Sequence, residues 1–79
     1  MKIPELRGAL AALGVQRRAV SIDGVEVAEE QYRLERDGGF WTAYYYERGN
    51  KNELLHFADE EEACEHFLRI VRNDPTTRK

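Results

Sequence analysis

Gly38-Gly39 separates two runs of alternating side chains, Gln31 to Arg36 and Phe40 to Tyr46, and nothing else in the chain constrains its fold as strongly. Glycine takes the positive φ angles that tight two-residue hairpin turns demand. A turn at this point sets Arg36 opposite Trp41, Leu34 opposite Ala43 and Tyr32 opposite Tyr45. Successive side chains on a strand point to opposite faces. Tyr32, Leu34, Trp41, Ala43 and Tyr45 therefore share one face, while Gln31, Arg33, Glu35, Phe40, Thr42, Tyr44 and Tyr46 share the other. A slip of one residue would scatter the apolar set over both faces. The second run is also crowded, with five aromatic residues in the seven positions 40–46. One face can close a core. The other carries Tyr44 and Tyr46, with Arg33, Glu35, Glu47 and Arg48 nearby, which is more tyrosine than a small domain needs for packing. Tyrosine also ranks among the residues that dominate interface hot spots, so this face is the candidate binding surface.

The flanking segments supply cover for the core face. Leu6, Ala9, Leu10 and Leu13 recur at the spacing of one helical face, with Pro4 suited to the first turn and Gly14 to the C-terminal cap. Arg18 to Ile22 reads as a strand, Asp23-Gly24 as a turn, and Val25 to Glu30 as either strand or loop. Glu47 to Asn52 forms a second reversal before a short strand at Leu54 to Phe57. For Leu55 and Phe57 to reach the core face, that connection needs an odd residue, which a bulge at Gly49 could supply. Asp59 and Glu62 have the spacing of a capping box, and Cys64, Phe67, Leu68 and Val71 repeat the helical spacing until Asp74-Pro75 stops it. The expected class is α+β in the order α-β-β-β-β-α: an antiparallel three- to four-stranded sheet with an N-terminal and a C-terminal helix on one face. One domain spans 1–74, and residues 75–79 are expected to fray.

Seventy-nine residues allow one small core and leave little wall for a deep active site. A net charge of −3 lacks the basic excess of phosphate-backbone binders, so direct nucleic-acid binding is not expected. The single cysteine, Cys64, cannot form an intrachain disulfide and fits a reducing compartment. No apolar run approaches the roughly 20 residues of a membrane span, and the first residues lack a signal-peptide core. A cytoplasmic location without membrane association is expected. His56, Cys64 and His66 do not have metal-ligand spacing. Ser21 and Cys64 lack a glycine-framed elbow, and the glycines do not form a phosphate loop. The chain is therefore expected to be no enzyme and to need no metal or cofactor. Asp59, Glu60, Glu61, Glu62 and Glu65 suit a helix N-terminus through its dipole and offer an alternative surface for a basic partner.

The run Trp41…Tyr44-Tyr45…Glu47-Arg48-Gly49-Asn50-Lys51, then Phe57-Ala58-Asp59-Glu60-Glu61-Glu62-Ala63-Cys64…Phe67-Leu68, resembles a family of very small bacterial proteins. These are the immunity proteins of polymorphic toxin and contact-dependent inhibition systems. The similarity extends from the N-terminal helix through Asp74-Pro75. It implies a cytoplasmic antidote that binds one cognate toxin domain and blocks it without chemistry, the toxin being a nuclease or another enzyme with a basic cleft. Such proteins diverge where they touch their toxins, so no binding residue carries over by motif. The face argument alone nominates Glu35, Tyr44, Tyr46, Glu47 and Arg48 as partner-binding residues. The alternative is a homodimer, structural or regulatory, that buries the same open face.

Overall fold

A computed structural model describes residues 1–78. Its elements are α1 (Ile3–Ala12), β1 (Val20–Ile22), β2 (Gln31–Asp37), β3 (Phe40–Glu47), β4 (Asn50–Phe57) and α2 (Glu60–Arg72), with 3₁₀ turns at Arg17–Ala19 and Pro75–Thr77. The four strands form one sheet in the order β1-β2-β3-β4. The class is α+β with the expected order of elements, and the sheet is antiparallel except for β1 and β2.

The β2–β3 hairpin has the register that Gly38-Gly39 dictates, from Gln31 opposite Tyr46 to Asp37 opposite Phe40. Gly38 takes a φ of 64° and Gly39 stays outside the positive region, the pattern of a type II′ turn. One consequence is that the Arg36 guanidinium sits 4.7 Å from the centre of the Trp41 ring. Leu34, Trp41 and Ala43 join Leu6 and Leu10 of α1 and Ala63, Cys64, Phe67 and Val71 of α2 in one buried cluster. Both helices therefore cover the same face of the sheet. They are also tied at their starts, where the Ile3 amide donates to the Glu60 carboxylate at 3.0 Å. Gly14 follows α1 at φ 80°. The Asp59 carboxylate caps α2 by accepting from the Glu61 amide at 3.1 Å. Among the described residues, the reciprocal bond from Glu62 does not form.

Four expectations are corrected. First, β1 pairs with β2 in parallel, Ile22 beside Leu34. The turn at Asp23-Gly24 does reverse the chain, and Val25 donates back to the Ile22 carbonyl at 3.2 Å. The returning residues then reverse again without becoming a strand, and two reversals leave β2 parallel to β1. Second, the turn between β3 and β4 holds two residues, Arg48 and Gly49, both at positive φ (51° and 81°), the requirement of a type I′ turn. The odd residue lies inside β4 instead. The register shifts between Ala43 and Tyr45, and Glu53 takes a φ of 55°. This bulge turns Leu55 and Phe57 toward the helical side. Third, Leu55 reaches that side but is 47% exposed there, at the sheet's open edge. Fourth, residues 75–77 do not fray. Asp74 caps a 3₁₀ turn, Thr77 is buried, and its carbonyl accepts from the Gln16 amide at 2.8 Å. Lys79 lies outside the described residues.

Leu34→Ala is expected to destabilise the fold by about 3 kcal/mol, measured by urea unfolding, because Leu34 is fully buried between the sheet and both helices. Arg48→Asn is expected to stabilise it by about 1 kcal/mol in the same assay, since asparagine tolerates the left-handed conformation that arginine holds at a cost.

Candidate functional site

The helix-free face of the sheet is built by the even-numbered positions of β3 and their cross-strand neighbours. Diagonal neighbours on a sheet come within reach of long side chains, and three strands here interlock in that way. Arg33 of β2 stacks its guanidinium 3.8 Å from the centre of the Tyr46 ring. Lys51 of β4 sets its ammonium 5.1 Å from the centre of the Tyr44 ring. The Tyr44 hydroxyl is held above the ordinary phenol range, first by burial and then by the neighbouring Glu35 carboxylate, with Arg33 pulling the other way. Each cation over a ring contributes about 0.5–1 kcal/mol at an exposed site. The cations also cover the rings, and Tyr44 is only 2% exposed.

The same face is closed at its β1 end by the connection 23–30. Gln31, buried where an outward polar residue was expected, staples this connection down. Its amide nitrogen donates to the Arg18 and Glu26 carbonyls (3.0 and 3.1 Å), and its oxygen accepts from the Ala28 amide (2.8 Å). Arg33 donates to the same oxygen at 3.0 Å and to the Ala28 carbonyl at 2.8 Å. Ser21 lies buried on this face, and among the described residues its hydroxyl has no hydrogen-bond partner.

The five nominated residues therefore do not form one patch. Glu35, Tyr44 and Tyr46 share the helix-free face, but Tyr44 lies beneath the others. Tyr46 is half-buried under Arg33, and Glu35 is half-buried. Glu47 projects on the opposite side, next to Tyr45. Arg48 is exposed at the hairpin tip. Phe40 was not nominated, yet it belongs to the helix-free face and is 54% exposed. Its even-numbered position on β3 was the signal for it. Nothing in the sequence pointed to Gln31 as the staple, because its partners come from a segment without periodicity.

A second concave surface lies on the helical side, between β4 and the C-terminal half of α2. Tyr32 and Tyr45 meet edge to face there, with ring centres 4.8 Å apart. The Tyr32 hydroxyl donates to Asp74 Oδ2 at 2.9 Å. Burial first, and then this bond, raises the Tyr32 hydroxyl well above its ordinary range. The Asp74 carboxyl lies below the ordinary carboxylate range. The bond from the Thr76 hydroxyl is the main cause, partial burial opposes it, and Tyr32 adds to it. His66, next to the Phe57 ring at 5.1 Å, is lowered by burial and by Arg69, which favours its neutral form.

Among the described residues, no group of three or more His, Cys, Asp and Glu side chains could hold a metal ion, and no helix is long and apolar enough to cross a membrane. Cys64 is a buried free thiol raised by burial. No family model, curated protein or solved structure matches the chain.

Tyr44→Ala is expected to cost about 3–5 kcal/mol of stability, whereas Tyr44→Phe costs about 1 kcal/mol, both measured by chemical unfolding. The depressed Asp74 carboxyl means that the folded state binds fewer protons than the unfolded chain. Its stabilising contribution is present above the unfolded carboxylate range and is lost as pH falls through the folded value. Thr76→Ala is expected to return Asp74 toward the ordinary range, and Tyr32→Phe to do so by less. A carboxyl-carbon NMR titration measures both.

Proposed function

We propose that this chain is an immunity protein, which binds one toxin domain and neutralises it by covering its active site. The observation that supports the reading is a sheet face without a helix, on which Arg33, Lys51, Tyr44 and Tyr46 are already locked together. Aromatic and arginine side chains dominate binding hot spots, and holding them in place beforehand reduces the ordering cost of association. The resemblance of Trp41 to Lys51 and Phe57 to Leu68 to small immunity proteins points the same way. Contact on this reading falls to Tyr46, Glu35, Phe40 and the tip residue Arg48, while Glu47 points to the other side of the sheet. Tyr44 serves as the buried support beneath them. Inhibition needs no catalytic group, and a toxin with a basic cleft, such as a nuclease, would be met by Glu35.

The test is co-expression in bacteria with the toxin domain encoded beside this chain, followed by co-purification. Growth is expected to recover, and a one-to-one complex to form. Tyr46→Ala combined with Arg48→Ala is expected to weaken the complex at least about tenfold, as expected for central aromatic and arginine contacts. Tyr44→Phe is expected to leave it unchanged. Continued growth arrest with no complex would falsify the antidote reading. A tight dimer of this chain alone, by light scattering with Tyr46 protected, would replace it with the homodimer reading.

A further inference from the structure

The concave surface on the helical side divides into two halves that share Tyr32, Tyr45, Glu53 and Asp74. One half, about 700 Å³, is walled by Leu54, Leu55, His66, Ile70 and Pro75. The other, about 520 Å³, is edged by Glu47, Asn52, Glu53 and Asp74. The tyrosine pair forms the floor between them. Leu54 and Leu55 remain 37% and 47% exposed although they adjoin a cavity, so the apolar half lacks a cover. Among the described residues, no salt bridge engages Glu47, Glu53 or Asp74. Arg78 acts on Asp74, but its guanidinium is held by the Val71 and Arg72 carbonyls at 3.4 and 2.9 Å. Lys51 and Arg33 are committed to the other face of the sheet. His66 lies at the α2 wall, where burial and the nearby Arg69 favour its neutral form.

We infer that this groove receives an extended segment of a partner protein in which a lysine or arginine stands beside an aliphatic residue. The aliphatic side chain fills the space between Leu55 and Ile70. The cation crosses the tyrosine floor toward Glu47, Glu53 and Asp74, where aromatic ring and carboxylate attract it together. Carboxylates alone would attract any cation. The adjoining apolar wall restricts the occupant to a side-chain pair and excludes a bare metal ion. The bulge in β4 matters here, because it brings Glu53 to the lip of the groove while leaving Leu55 pointed into it. The inference goes beyond the antidote reading and does not need it: Tyr44 borders the apolar half of the groove, but Tyr46, Arg33 and Lys51 lie outside it.

The experiment is an amide NMR titration of the full chain with acetyl-Leu-Arg-amide and, separately, with acetyl-Leu-citrulline-amide, which has the same shape without the charge. The arginine probe is expected to give saturable shifts at Tyr45, Leu55 and Ile70. The citrulline probe and the Glu47→Gln/Glu53→Gln variant are each expected to bind about fivefold more weakly, a factor matching the upper range of one exposed ion pair. Leu55→Ser is expected to weaken both probes. All substituted positions lie at the surface, and unchanged thermal unfolding confirms that the variants fold. Equal binding of the two probes, shifts centred on the acidic start of α2, or no saturable shift would each overturn the inference. Growth rescue by co-expression tests the antidote reading separately, so failure of either leaves the other standing.

Discussion

The pairing of β2 with β3 governs this structure. Once Gly38 closes the turn, Leu34, Trp41 and Ala43 fall on one side, and the two helices cover that side. Shifted by a single residue, Leu34 would face solvent opposite a buried Arg33. A chain this short buries too little surface to tolerate that exchange. The aromatic content of β3 adds to the constraint. Trp41 and Tyr45 fill the inner face, while Tyr44 and Tyr46 must be accommodated outside it.

The way Tyr44 is accommodated explains why a sheet without a second layer of helices can still bury a tyrosine. Arginine and lysine have long apolar stems and charged ends that remain in water. Arg33 and Lys51 use this property to roof the rings of neighbouring strands. The connection 23–30, held down by Gln31, covers the remaining end of the face. Polar side chains thus do part of the work that a helix would do in a larger domain, and they leave a surface that is both ordered and charged.

Features set by neighbours in sequence were legible in advance. The hairpin register, the two helical stripes, the glycine after α1 and the Asp59 cap each depend on a few adjacent residues. The need for an odd residue between β3 and β4 was also legible, but its place was not. Gly49 looked the natural site, yet an Arg-Gly pair suits a two-residue turn, and the extra residue moved to Glu53. The parallel pairing of β1 was hidden because a single turn signal at Asp23-Gly24 suggested one reversal, and the second reversal has no glycine to announce it. The candidate face was legible as an alternation and illegible as a surface. The alternation put Tyr44 on the outer side but could not show that Lys51, seven residues later, would cover it. It also gave no hint that Glu47, Glu53 and Asp74 meet around two tyrosines.

The kink that Glu53 introduces also changes the free edge of the sheet. β4 is the sheet's long free margin, and a straight margin of eight residues invites another molecule to add a strand, and then another. A residue out of step breaks the even spacing of amide and carbonyl groups on which such growth depends. The free margin of this sheet is therefore a poor template for growth strand by strand.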